Sequence, residues 1–166
     1  MPTYVCVVKA GLLNDEQKQR IASAITRLHS EATGAPTWFV QVVIDENEQR
    51  QRYLGGQPAD HQIWIRADIR AGRTSEQRQQ LILSIVQAVS EISGAEEGAI
   101  WVYLCNLAPD DMAEYGHVLP LPGEEQAWFE ALPPELQRYL TSIGQKEKIR
   151  PVTTREQSQN TNRRDR

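Results

Sequence analysis

The chain has 166 residues, 40% of them apolar, with 18 Lys or Arg against 22 Asp or Glu and a formal net charge of −4. That length suits one domain with a real core, and no apolar run approaches the roughly 18 residues needed to span a bilayer. Seven of the cations but only three of the anions fall in residues 146–166, so the preceding body stands at −8, which argues against a nucleic-acid face. No leader-like segment precedes the first strand pattern, so the expected setting is the cytoplasm, with no membrane partner.

In chain order, Met1 is followed by Pro2, which opens an alternating strand pattern over 2–8. If the initiator methionine is removed, as is usual before a small residue, the chain begins with a secondary amine held in ordered structure. An α-amino group titrates near pH ~7.7 to 8.0, so burial or neighbouring charge sets it as a base or an acid at working pH. A helix opened by Asn14-Asp-Glu-Gln17 follows, with Ile21, Ala24, Ile25, Leu28 and Ala32 on one face, and it ends at Gly34. The strand pattern 38–44 closes this unit.

Shifted by sixty residues, the chain matches itself without a gap. Glu16-Gln17 meets Glu76-Gln77, Ile25 meets Ile85, Ser30-Glu31 meets Ser90-Glu91, and Gly34-Ala35 meets Gly94-Ala95. The second copy runs from strand 62–68 through a helix opened by Thr74-Ser-Glu-Gln77 to strand 99–104. The expected fold is therefore α/β: a tandem βαβ repeat forming a four-stranded sheet with two helices on one face and right-handed crossovers. Its other face and edges call for cover by further subunits.

Between the copies, 45–60 reads as a polar loop. Residues 105–144 read as a proline-stiffened crossing with short helices near 124–131 and 134–143. A single domain over 1–144 and a disordered basic tail over 145–166 are expected. Cys6 and Cys105 lack metal-ligand spacing and read as small thiols in a reducing compartment, with no metal site.

Arg70 and Arg73 bracket Ala71-Gly72 where the second copy's first strand turns toward its helix. Two guanidiniums so placed can grip one carboxylate, whereas the matching Ala10-Gly-Leu-Leu13 carries no charge. His29, whose counterpart is Val89, lies near the end of the first helix and one position off its apolar stripe, where a surface cation is ordinary. Tyr103 sits in the last repeat strand and Glu114 in the crossing.

Together, Met1-Pro2, the repeat, His29, Arg70-Ala-Gly-Arg73-Thr, Trp101-Val-Tyr103 and Glu114-Tyr-Gly-His-Val-Leu-Pro-Leu-Pro-Gly-Glu-Glu before Trp128-Phe129 resemble the tautomerase superfamily. Within it, residues 2–143 are most similar to the group of cis-3-chloroacrylic acid dehalogenase and its hydratase-like homologues. The resemblance implies a tautomerase-fold homotrimer without cofactor, acting on a small carboxylate. It implies Pro2 as the central catalytic residue, His29, Arg70 and Arg73 as substrate-binding, and Tyr103 with Glu114 as the pair that activates water. It departs from the group at His117, where relatives carry arginine, and in the 45–60 loop.

The implied reaction is hydration of a cis-3-haloacrylate or an acetylene carboxylate to malonate semialdehyde. Two alternatives stay open: keto-enol tautomerisation of a phenylpyruvate-like enol, with a neutral Pro2 amine as base, and a non-catalytic binding or signalling protein on the same scaffold.

Overall fold

The structure is a computed structural model that describes residues 2–46 and 51–148. Each repeat copy supplies strand, helix and strand: β1 (Thr3–Val8), α1 (Asp15–Thr33) and β2 (Gln41–Glu46), then β5 (Ile63–Arg70), α2 (Ser75–Ser93) and β6 (Ile100–Leu107). Both helices are 19 residues long and begin sixty positions apart. They start alike, because the Asn14 and Thr74 side chains accept from the backbone N–H of Gln17 and Gln77 while each glutamine reaches back to the cap residue. Gly34 and Gly94 end them in left-handed conformation, at φ 71° and 77°.

The sheet runs β2-β1-β5-β6. Within each copy the strands are parallel, whereas β1 and β5 pair antiparallel, with Thr3 opposite Asp68 and Cys6 opposite Ile65. One sheet face, carrying Tyr4, Cys6, Ile63, Ile65, Ala67 and Ile69, shares a single buried core with Ile21 and Ile25 of α1 and Leu81, Ile85 and Val89 of α2. Both helices therefore lie on one face, as the repeat predicts. Trp101 and Tyr103 of β6 alternate with the core residues and are partly exposed on the other face, as is Val43 of β2. The strand pattern 38–44 begins later than expected. Trp38 and Phe39 form a short 3₁₀ turn and leave the sheet to start a second apolar cluster with Leu119, Met112 and Trp128.

That second cluster anchors the crossing, which holds more structure than its composition suggests. A hairpin of β7 (Ala113–Glu114) and β8 (His117–Val118) turns through Tyr115 and Gly116, both at positive φ (53° and 81°). The 45–60 loop likewise contains a hairpin, β3 (Tyr53–Leu54) with β4 (Gln57–Pro58), turned by Gly55-Gly56. The crossing continues into α3 (Glu125–Glu130) and α4 (Pro134–Lys148), so helix extends past the expected end of the body at 144. Most of the expected basic tail, 149–166, lies outside the described residues. Among the described residues no helix is long and apolar enough to cross a membrane.

The crossing presses on the arginine turn at Gly72, whose φ is +111° and where an added Cβ would meet Pro122 Cγ at 2.6 Å. Gly34 is also left-handed but faces open space. Gly72→Ala is therefore expected to lower stability by about 2–4 kcal/mol, as strain and overlap add, and Gly34→Ala by about 1 kcal/mol. Denaturant titration of both variants checks this. Equal costs would contradict the close approach of Pro122.

Candidate active site

The register of β1 against β5 determines what surrounds Pro2. Thr3 faces Asp68, so the start of β1 lies beside the end of β5, next to Ile69 and Arg70. Pro2 is itself buried, and its carbonyl accepts the Gln41 N–H at 3.0 Å, which fixes it at the head of the sheet. Pro2, His29, Arg70 and Arg73 line one small cavity of about 10 Å³, closed on its apolar side by Ala35 and Phe39. Four of the six residues named from sequence thus meet at one point, drawn from β1, α1 and the β5–α2 turn.

His29 is not the surface cation that its place near a helix end suggests. It is 3% exposed, and its Nδ1 lies 2.8 Å from the hydroxyl of Tyr4, a core residue of β1. Burial first, then the charges of Arg73 and Arg70, push its pKa down to about 3, so the ring is neutral at working pH. Burial also holds the Tyr4 phenol well above its ordinary range. The arrangement that gives the buried Tyr4 proton a partner has the hydroxyl donating to Nδ1, which leaves His29 with its proton on Nε2. His29 is therefore a neutral donor.

Arg70 is 6% exposed. Its Nη1 donates to the Pro120 carbonyl at 2.6 Å and its Nη2 to the Glu125 carboxylate, while Nε is buried without a partner. Arg73 is half-buried, and its Nε is likewise unpartnered. Burial and then repulsion from Arg70 lower the Arg73 pKa, and the Glu125 charge works the other way. Two buried N–H donors without acceptors, on cationic groups around one cavity, are what an anion site looks like before its anion arrives.

Glu114 and Tyr103 do not line that cavity. Glu114 is half-buried at the hairpin turn opposite His117, and burial raises its pKa above the usual carboxylate range. Tyr103 is 50% exposed on the open sheet face, with its ring edge-on to Trp64 at a centroid distance of 6.0 Å. His117 stands edge-on to Trp128, whose indole donates to the Val118 carbonyl at 2.8 Å. Sequence reasoning gave no part to Tyr4 or Glu125. A lone hydroxyl-bearing residue at an inward strand position was the available sign for Tyr4. Glu125 lies 55 residues from Arg70, and no spacing links them.

Comparison with known proteins gives the chain a family. Residues 1–131 fit the family model described as "Putative oxalocrotonate tautomerase enzyme". The structure superposes with a TM-score of 0.81 on N1, a member of the cis-3-chloroacrylic acid dehalogenase family, at 35% identity, covering 84% of this chain and 99% of that one. The chain belongs to that family, within the tautomerase superfamily.

Two further solved structures align at lower identity and TM-score. Native Ps01740 gives 31% identity and a TM-score of 0.64 over 68% of this chain and 99% of its own. The R7 fused 4-OT wild type, an asymmetric trimer, gives 25% identity and a TM-score of 0.64 over 70% and 94%. A comparison with curated protein sequences gives no match.

The buried neutral His29 makes a prediction about acid stability. Its folded pKa of about 3 lies below the 6.5 of a free imidazole, so the unfolded chain binds a proton that the folded chain refuses. Stability is then fully present above pH ~6.5 and falls as pH drops toward 3. His29→Gln, which cannot titrate, is expected to flatten that part of the melting-temperature profile. An unchanged slope would show that His29 is charged in the fold.

Proposed function

We propose that this protein is a cofactor-independent hydratase and dehalogenase that adds water to a cis-3-haloacrylate or an acetylene carboxylate to give malonate semialdehyde. The observation that carries the proposal is the meeting of buried Pro2 with His29 and two arginines whose Nε donors lack partners. Family membership supports it, since N1 is a member of the cis-3-chloroacrylic acid dehalogenase family.

In this scheme Met1 is removed and the Pro2 amine is protonated. Arg73, Arg70 and the His29 donor hold the substrate carboxylate. Glu114, made more basic by its burial, takes a proton from water while the oxygen bonds to Cβ. The displaced electron pair spreads into the carboxylate as an enediolate, where the cationic donors stabilise it. The Pro2 ammonium then returns a proton to Cα. A haloacrylate gives a halohydrin, which expels halide and the hydroxyl proton to leave the aldehyde. An acetylene carboxylate gives an enol, whose hydroxyl proton is lost as Cα gains one.

Tyr103 stands on the open sheet face, away from its own chain's cavity, and assembly has to bring it to a Glu114. A homotrimer in the cytoplasm suits this arrangement, with the partly exposed Val43, Trp101 and Tyr103 covered between copies. The family's tautomerase members suggest a second reaction, with the Pro2 amine neutral and acting as base. A cavity of about 10 Å³, room for about one water, has to open for either substrate, and less for the three-carbon acid than for a phenyl-bearing enol.

The test is turnover of cis- and trans-3-chloroacrylate, propiolate and phenylenolpyruvate, read as halide, aldehyde and enol decay. The cis haloacrylate or propiolate is expected to turn over fastest, and Pro2→Ala to lose about 10²-fold or more. Arg73→Ala is expected to raise half-saturation by roughly tenfold or more, as a charge-assisted contact is lost. Enol decay as the dominant native activity, or full turnover by Pro2→Ala, would overturn the scheme.

A further inference from the structure

Glu125 has no part in the scheme above, yet it makes the one ion pair of the buried Arg70 among the described residues. It opens α3 and is itself fixed, because one oxygen accepts the Gly123 N–H at 2.8 Å while the other accepts from Arg70. Burial alone would raise its pKa, but its own backbone N–H and the Arg70 guanidinium outweigh that and hold it below the usual range. It is an anion at neutral pH. With the Pro120 carbonyl, it engages both terminal nitrogens of Arg70, so the nitrogen left without a partner is Nε.

The charges around the cavity follow. Arg70 is compensated by Glu125 and His29 is neutral. Arg73, whose guanidinium makes no hydrogen bond or ion pair among the described residues and feels Glu125 only through its charge, is the guanidinium without a paired carboxylate. The Pro2 amine and Glu114 offset each other in the scheme above. The site as built is matched to one negative charge.

We propose that Glu125 is a positioning and specificity residue: it turns Arg70 so that Nε–H is the donor offered to the bound acid, and its carboxylate cancels one arginine charge, so that the site takes a monoanion over a dianion. The proposal rests on the carboxylate-binding function given above. The strap that carries Glu125 is held by independent contacts, namely Pro122 against Gly72 and Leu119 in the second apolar cluster.

The test uses two unreactive probes, propionate and malonate, titrated calorimetrically into the wild type and Glu125→Gln at pH 7.5. The glutamine keeps one oxygen acceptor for Arg70, removes the charge and gives up the second acceptor, which takes the Gly123 N–H. Wild type is expected to prefer propionate, and Glu125→Gln to shift the ratio toward malonate by about tenfold or more, because the dianion gains more than the monoanion from the uncovered charge. On wild-type protein, proton–nitrogen NMR of the arginine side chains, assigned with Arg70→Lys, is expected to show the Arg70 Nε–H signal moving downfield on propionate addition. That second readout stands even if Glu125→Gln does not fold.

Wild type that binds neither acid overturns the carboxylate site and this proposal with it. Wild type that binds propionate while the ratio in Glu125→Gln stays unchanged, or while the Arg70 Nε–H signal stays still, overturns the part given to Glu125 alone. A contact that only supported the fold would move neither the ratio nor that resonance.

Discussion

The antiparallel pairing of β1 with β5 is the contact on which the rest of the site depends. A βαβ repeat alone would give two similar halves with their strand ends in different places. Joined along β1 and β5, with Thr3 opposite Asp68, the halves put the first residue of one copy beside the last residues of the other's strand. Pro2 and Arg70 are brought together by backbone hydrogen bonds, and no side chain has to search for the other. The same pairing buries both, and burial gives their chemistry its leverage, since charges in a poorly solvated site act on one another more strongly than in water.

A second constraint works from outside the repeat. The crossing folds back across the arginine turn, held by Trp38, Phe39, Leu119 and Trp128, and brings a proline onto Gly72 and a carboxylate onto Arg70. Without it, Arg70 would be a buried guanidinium with no counter-charge, a costly arrangement. With it, the terminal nitrogens are satisfied and an unpartnered Nε remains. The site is therefore divided between a sheet that places the amine and the arginines and a strap that sets how much charge those arginines present. Neither part alone defines the anion that fits.

The repeat was readable in the sequence because its signals are local and repeated: cap residue, apolar stripe and terminal glycine recur at a fixed interval, and the structure shows two 19-residue helices at that interval. The parallel strand pairs and the layer of two helices followed from them, whereas the order β2-β1-β5-β6 rests on the antiparallel pairing of β1 with β5, which no local signal announces. The two hairpins were not readable. Each is two residues per strand, too short for a period, and is made by positive-φ turns such as Tyr115-Gly116. Arg70 and Arg73 were conspicuous by charge at a turn. His29 was legible as a candidate but not in its state, because its burial and its bond to Tyr4 come from packing α1 against β1. Glu125 was hidden for the same reason: only the fold brings it to Arg70.

The most direct test of the central claim is a crystal structure of the processed protein, lacking Met1, bound to propionate. The account predicts one carboxylate held between the Nε atoms of Arg70 and Arg73, with the Pro2 nitrogen about 3–3.5 Å from the ligand's Cα. Propionate bound elsewhere, or a Pro2 nitrogen turned away from it into solvent, would contradict the account.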